Sequence, residues 1–184
     1  MRVLVACEFS GIVRQAFRAR GHDAWSCDLL PAEDDSRFHI EDDIEVLLMQ
    51  DPNWDLMIAH PPCTHLAASG ARWFKEKQKE QEQALNFVRA LLNQPIEKIA
   101  LENPIGIISS QICRPNQIIQ PFYFGDPFKK TTCLWLKNLP SLTRTSTLTT
   151  GKQACWLESP HPERWKRRSR TYLGFAVAMA HQWG

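Results

Sequence analysis

The chain has 184 residues, of which 43% are hydrophobic, so it is long enough to bury a core of ordinary size in one domain spanning residues 1–184. Its 22 Lys and Arg against 20 Asp and Glu give a formal net charge of only +2, which excludes a protein that attracts polyanions through its overall field. It contains no apolar run of the roughly 18 residues that a membrane span needs, and no signal-peptide pattern, so a cytoplasmic location is expected.

The first half of the chain alternates strand and helix patterns. A strand is predicted from Arg2 to Ala6, followed by a helix from about Ile12 to Arg20, with Ser10 as its cap and Gly21 at its end. The next elements are a strand over Asp23 to Cys27 that closes on Asp28, a short strand at His39-Ile40, and a helix through Met49.

The second half continues the alternation. A fourth strand covers Leu56 to Ala59, a long helix runs from about Ala71 to Asn93, and a fifth strand ends at Glu102. Further strands are predicted at Ile118-Ile119 and from Thr132 to Leu136, and the segment from Pro140 to His161 reads as surface loop. Repeated βα units in this order predict an α/β fold with a mostly parallel, doubly wound sheet.

Two short polar motifs each follow a strand that looks buried. His60-Pro61-Pro62-Cys63 comes directly after the fourth strand, and Glu102-Asn103-Pro104 comes directly after the fifth. Open α/β folds bind their ligands at the carboxyl edge of the sheet, where both motifs would lie. We therefore expect the Cys63 thiol and the Glu102 carboxyl to face one cleft.

A thiol and a carboxyl in one cleft suit covalent chemistry on a pyrimidine ring. A thiolate that adds to carbon 6 of cytosine makes carbon 5 nucleophilic enough to attack an electrophilic methyl group. A carboxylic acid kept neutral by its surroundings would assist by sharing a proton with ring nitrogen 3. Cys63 and Glu102 are the candidates for these two roles, and a base in a duplex would have to be swung out to reach them.

Polar residues after the first three strands suggest a nucleoside site. Phe9-Ser10-Gly11 follows the first strand, where Gly11 would let the backbone approach a ligand closely. Asp28 ends the second strand, where such folds place an acid that accepts from ribose hydroxyls, and Asp43 lies after the third. Taken singly, each acid could equally be a helix cap or a solvated loop residue.

In chain order, these motifs resemble the DNA cytosine-5 methyltransferases. The similarity rests on Phe9-Ser10-Gly11, Asp28, Asp43-Ile44, Pro61-Pro62-Cys63 and Glu102-Asn103-Pro104, and it continues at Thr64 to Gly70, Phe124 to Thr132 and Gly174 to Val177. The resemblance implies a class I, Rossmann-like fold that binds S-adenosylmethionine and acts on DNA.

The resemblance also assigns roles to individual residues. It implies Cys63 as the nucleophile, Glu102 as the proton donor and Asn103 as the residue that positions the loop. The implied cofactor-binding residues are Phe9, Ser10, Gly11, Asp28, Leu29, Asp43, Ile44 and Pro61. The implied substrate-binding residues are Lys130 and Thr132, and the basic cluster near the carboxyl terminus adds Arg168 and Arg170 as candidates.

Several positions depart from the family's pattern. Val13 and Arg14 replace further glycines, Lys130 and Thr132 replace two arginines, and Phe175 replaces an asparagine. The family's large target-recognition region is reduced to about residues 138–164. So small an insert predicts weak sequence preference, a single-stranded target, or a homo-oligomer or partner protein that completes the site.

Two alternatives to methylation of cytosine in DNA remain open. One keeps the site but changes the acceptor to a free nucleotide or another base. The other is a catalytically degenerate homologue that binds DNA or a partner. A basic cluster around Trp165 could track phosphates and stack bases, or could be a solvated terminus; its members are Arg164, Lys166, Arg167, Arg168 and Arg170. No spacing of His or Cys residues supports a metal site, and none is assigned.

Overall fold

A seven-stranded sheet forms the centre of the protein, with strand order β3-β2-β1-β4-β5-β7-β6. The structure, a computed structural model, describes residues 1–153 and 161–184. Neighbouring strands from β3 to β5 pair in parallel, whereas β7 runs antiparallel to both β5 and β6. The strands are β1 (Arg2–Ala6), β2 (Asp23–Asp28), β3 (His39–Glu41), β4 (Leu56–Ala59), β5 (Lys98–Pro104), β6 (Gln117–Ile119) and β7 (Thr132–Lys137).

Helices cover both faces of this sheet. They are α1 (Ile12–Ala19), α2 (Ile44–Gln50), α3 (Gln78–Leu92), α4 (Ile108–Gln111), α5 (Arg164–Ser169) and α6 (Leu173–Trp183). Short 3-10 helices lie at Ala68–Trp73 and Pro121–Phe124. None of the helices in residues 1–153 and 161–184 combines the length and the apolar character that crossing a bilayer requires.

Alternating residues of the central strands supply two separate hydrophobic cores. On one face, Leu4 and Met57 pack with residues of α2 and α3. On the other, Val5 and Ile58 pack with residues of α1 and α6. Because both faces are covered, β1 and β4 are apolar at almost every position, as buried parallel strands are. The α/β fold with a mostly parallel, doubly wound sheet is therefore confirmed.

The predicted long helix from Ala71 to Asn93 is wrong in its first part. A 3-10 helix ends at Trp73, a turn follows, and α3 begins only at Gln78. Residues 75–77, between the two helices, are charged and exposed, so they have no apolar face that would pack and continue a helix.

The segment after β7 has little regular structure in its described part, as predicted. Leu142 is nevertheless buried, because the Gln117 side chain accepts from its backbone N–H and donates to its carbonyl, each over 2.8 Å. Residues 154–160 of the predicted insert at 138–164 lie outside the described residues.

Candidate active site

The motif after β4 and the motif that ends β5 meet at one edge of the sheet. The prediction that the fifth strand ends at Glu102 is wrong, because pairing with β7 extends β5 to Pro104. Ala59 pairs with Leu101 in the parallel register, so the next residues, His60 and Glu102, emerge side by side. The Asn103 side-chain amide donates to the backbone carbonyl of Pro61 over 2.8 Å and so ties the two turns together. Asn103 is buried, which makes this bond a structural constraint on the turn that carries Cys63.

A second set of backbone contacts holds the Cys63 turn against the segment after β5. Ala68 N–H donates to the Ile105 carbonyl, and Ile107 N–H donates to the Leu66 carbonyl, each over 2.9 Å. Gly106 lies between these bonds, and a Cβ there would be 2.0 Å from the Leu66 carbonyl oxygen. Only glycine fits this close approach of the two backbones.

Cys63 is an exposed residue whose thiol is surrounded by charged groups. Partial burial of the sulfur raises the pKa of Cys63, and the charge of Glu102 raises it further. Lys130 and Arg168 act in the opposite direction. The sulfur, the Glu102 carboxyl and two cations therefore lie within electrostatic reach of one another.

The contacts of Glu102 in the ligand-free protein favour its ionised form. Its side chain is only 15% exposed, and burial alone would raise its pKa. The hydrogen bond from His60, the charge of Lys130 and the Thr132 hydroxyl outweigh this effect, so the pKa of Glu102 lies below its usual value. The expectation that its surroundings hold Glu102 neutral is wrong for this state, because the cleft supplies cationic and hydrogen-bonding partners rather than an apolar wall.

Glu8 caps helix α1, in place of the predicted Ser10. The Glu8 carboxylate accepts from the N–H groups of Val13 (2.7 Å) and Arg14 (3.2 Å), and Ser10 Oγ donates to it over 3.3 Å. The N-cap position is Gly11, which has φ of 72° and no side chain to offer, and Ser10 Oγ accepts from the Ile12 N–H only over 3.5 Å. Glu8 can reach the helix because it lies two residues after β1 at the same edge of the sheet.

The acids after β2 and β3 lie in different environments. Asp28 accepts from the Leu30 N–H over 3.0 Å, and burial raises its pKa, while the neighbouring Leu29 is 72% exposed. Asp43 is the N-cap of α2 and accepts from the Glu45 N–H over 2.8 Å, with Ile44 buried beneath it. Asp43 thus has a structural role, whereas Asp28 and Leu29 lie at the rim of the sheet edge.

The predicted substrate residues on β7 and before it lie beside Glu102. A narrow recess is lined by Glu102, Lys130 and Thr132 together with Tyr172 and Phe175. Thr132 is buried and donates to the Lys130 carbonyl over 3.0 Å, and Lys130 Nζ donates to the Arg168 carbonyl over 3.0 Å. These bonds connect β7 to the basic segment near the carboxyl terminus.

The segments Phe124 to Thr132 and Gly174 to Val177, which belong to the family resemblance, pack on each other. Asp126 Oδ2 accepts from the Gly174 N–H over 2.9 Å at the start of α6. The rings of Phe124 and Phe175 stack with centroids 5.5 Å apart. Phe175 therefore extends the core up to the recess.

The basic segment around α5 covers the edge between β1 and the Cys63 turn. The Trp165 ring lies 6.1 Å from that of Phe9, and Arg170 pairs with Glu33 over 2.8 Å. Arg168 is exposed, and its charge reaches Cys63. Of the two predicted arginines, Arg168 lies near the thiol, whereas Arg170 is held by Glu33.

Sequence reasoning missed the roles of His60 and Glu8. Each lies within two residues of the end of a buried strand at the sheet edge, which is the signal that could have singled them out. The described residues contain no group of three or more His, Cys, Asp or Glu side chains placed to hold a metal ion.

Comparison with known proteins shows similarity to solved structures. No protein-family model and no curated protein sequence matches the chain. Among solved structures, the chain is similar to an Escherichia coli protein described as a "putative DNA modification methyltransferase encoded within prophage", with a TM-score of 0.54 and 15% sequence identity. The match covers 87% of this chain but only 55% of the E. coli chain, so this chain spans about half the length of that neighbour. The similarity shows that the chain has the Rossmann-like α/β fold of that methyltransferase.

Proposed function

We propose that the protein is an S-adenosylmethionine-dependent methyltransferase that modifies carbon 5 of cytosine in DNA through a covalent adduct with Cys63. The observation that carries the proposal is that Asn103 ties the Cys63 turn to the strand end that bears Glu102. The strand order reverses between β1 and β4, and ligands of open α/β sheets bind at such a reversal. The Cys63 turn follows β4, at this point.

The residues after β1 and β2 fit S-adenosylmethionine, which supplies a methyl group on a sulfonium centre. Glu8 already occupies the first N–H groups of α1, so this helix end does not present the anion cradle that a dinucleotide needs. A buried carboxylate there favours a ligand with an ammonium group. Asp28 would accept from ribose hydroxyls and the exposed Leu29 would cover the adenine; the remaining proposed contacts are Phe9, Ser10, Gly11, Asp43, Ile44 and Pro61.

In this proposal, Cys63 and Glu102 act on the pyrimidine ring. The Cys63 sulfur bonds to carbon 6, and the electron pair displaced from the ring double bond moves towards nitrogen 3, which gains a proton through Glu102. Once carbon 5 has taken up the methyl group that the cofactor would supply, it loses its proton to water, and the bond between sulfur and carbon 6 breaks with its electron pair on sulfur. Nitrogen 3 returns its proton to Glu102 as the ring regains its double bond. Asn103 holds the turn of Cys63 in the position that this attack requires.

DNA is the proposed substrate because cations and aromatic rings surround the thiol. Lys130 and Arg168 lie near Cys63, and Trp165 is 52% exposed on the adjoining helix. Cations can neutralise phosphates, and an exposed indole can stack on an unpaired base. Thr132 would contact the base in the recess, and Arg170 would reach phosphate by exchanging Glu33. With an insert of only 138–164, single-stranded or weakly sequence-specific DNA is the favoured target.

Trapping of the adduct tests this function. Native protein, radiolabelled cofactor and DNA that contains 5-fluorocytosine should give a complex that survives denaturation, because fluorine at carbon 5 cannot leave as a proton does. Cys63→Ser should give none, whereas Cys113→Ser, a change at another exposed thiol, should behave like the native protein.

Product analysis on DNA and on free nucleotides identifies the acceptor. If calorimetry detects no cofactor binding while DNA is still bound, the protein is a binding homologue and the proposal fails.

A further inference from the structure

His60 is in direct contact with the proposed proton donor. Its Nδ1 lies 3.2 Å from Glu102 Oε2, and the side chains are 10% and 15% exposed, so the pair is largely shielded from water. The contact follows from the sheet register, since His60 and Glu102 are the first residues after the paired Ala59 and Leu101. An imidazole can hold or release a proton near neutral pH, which a backbone donor cannot.

A second carboxylate lies within electrostatic reach of the imidazole. Burial raises the pKa of Glu8, and the charge of His60 acts in the opposite direction. His60 Nε2 is buried and has no hydrogen-bond partner among the described residues. His60 therefore contacts Glu102 through one ring nitrogen and leaves the other unsatisfied.

Resting on the function proposed above, we propose that His60 is a positioning residue that orients Glu102 and stores with it the proton that passes to the pyrimidine. As the Cys63 S–H bond breaks, its proton passes to water, and a proton from water reaches the Glu102 carboxylate, one oxygen of which is held by His60. When sulfur bonds to carbon 6, that proton moves from the pair to ring nitrogen 3. The thiol loses one proton and the ring gains one, so the addition consumes no net acid.

The charges around the pair support this role. Lys130 and Thr132 face Glu102 from β7 and the segment before it, and they favour its ionised form, so they assist its return to that form once the proton has moved to the ring. The carboxylate also raises the pKa values of Cys133 and Cys63. Glu8, whose own carboxylate is held by backbone N–H groups of α1, lies within electrostatic reach of His60.

The test uses His60→Asn, whose amide can still donate to Glu102 but cannot take up a proton. Relative to native protein, the single-turnover rate of adduct formation with 5-fluorocytosine DNA should fall by about 10²-fold or more. Its pH profile should lose one ionisation, while cofactor affinity stays within twofold. His181→Asn, at an exposed histidine that contacts Arg20, is the matched control and should leave rate and profile unchanged. An unchanged rate and pH profile in His60→Asn would overturn the proposal.

A measurement on ligand-free native protein keeps the proposal testable if the variant does not fold. Nitrogen-15 spectra of the imidazole should show Nδ1 protonated whenever Glu102 is ionised; an unprotonated Nδ1 would refute the pair. These spectra also separate the two proposals. If native protein forms no adduct but shows the coupled pair, the methyltransferase function fails and the His60 and Glu102 contact stands.

Discussion

The side-chain amide of Asn103, at the end of β5, lies 2.8 Å from the backbone carbonyl of Pro61, two residues before Cys63. This bond spans two neighbouring strands and fixes the thiol turn relative to Glu102. It does so from a buried position, so water cannot replace it. The geometry of the candidate site depends on a residue that need not touch the substrate.

Replacing Asn103 should loosen this connection. Asn103→Ala leaves the Pro61 carbonyl without its donor and should lower the free energy of unfolding by about 1–3 kcal/mol, measured by urea denaturation. Asn103→Asp should cost more, because a buried carboxylate faces a carbonyl it cannot donate to. Asn53→Ala, in an exposed turn, should change the free energy by less than about 0.5 kcal/mol. Equal stability of the Asn103 and Asn53 variants would show that the bond does not stabilise the folded protein.

The ion pair between the buried Arg14 and Asp34 should make the stability of the fold depend on pH in the acid range. Its guanidinium is 0% exposed and pairs with Asp34 and Ser26. Burial acts to raise the pKa of Asp34, but hydrogen bonds from Arg14 and Gln15 lower it overall. A carboxyl with a lowered folded-state pKa adds stability above its unfolded pKa of about 3.9, and that stability is lost as the pH falls through the folded pKa.

Asp34→Asn should therefore destabilise the protein at pH 7 and much less at acid pH. The difference in unfolding free energy between native protein and variant should be constant above about pH 5 and shrink below about pH 4. Thermal unfolding between pH 2.5 and 7 measures it. Asp35→Asn, at an exposed neighbour, serves as the control. A difference that is independent of pH would mean that Asp34 is not ionised in its pair with Arg14.

The sequence was sufficient to predict the sheet and the meeting of its two motifs. Apolar runs at Leu56–Ala59 and Ile99–Leu101 are each followed by polar residues, and parallel strands place such residues at one edge. The sequence did not show that β5 continues to Pro104, because this depends on pairing with the distant β7. It was not sufficient for contacts that depend on which residues become neighbours in space. The capping by Glu8 requires the path of the chain between β1 and α1, and the pairing of His60 with Glu102 requires the register of β4 and β5.

The protonation state of Glu102 shows a further limit of the sequence. Its position at the end of an apolar strand suggested a neutral acid, because burial alone raises a carboxyl pKa. The residues that lower the pKa of Glu102 are His60, which follows β4, and Lys130 and Thr132, just before and at the start of β7, all distant from Glu102 in the sequence. Charged neighbours also act on the pKa of the Cys63 thiol.

Neutralising Glu102 should make Cys63 more reactive in the ligand-free protein. Burial is the larger cause of the raised pKa of Cys63, and the Glu102 charge is the second. Glu102→Gln removes that charge, so Cys63 should be alkylated by iodoacetamide faster at pH 8, with the midpoint of its pH profile shifted downwards. Mass spectrometry of the Cys63 peptide, with the exposed Cys113 as internal reference, measures the rate. A slower reaction would mean that Glu102 assists thiol ionisation and does not oppose it.

Removing the charge of Arg168 should weaken binding of single-stranded DNA in a salt-dependent way. Arg168 is exposed and its charge reaches Cys63, so it is placed to neutralise a phosphate near the flipped base. Arg168→Ala should reduce the magnitude of the slope of log Kobs against log[salt] by about 0.7, the value for one phosphate contact on a single strand. Fluorescence anisotropy with a labelled oligonucleotide between 50 and 200 mM salt, the range over which such contacts weaken, measures the slope. Arg20→Ala, at the far end of α1, should leave it unchanged. Identical slopes for the native protein and Arg168→Ala would place the DNA path elsewhere, because one fewer cation on that path must release one fewer counterion.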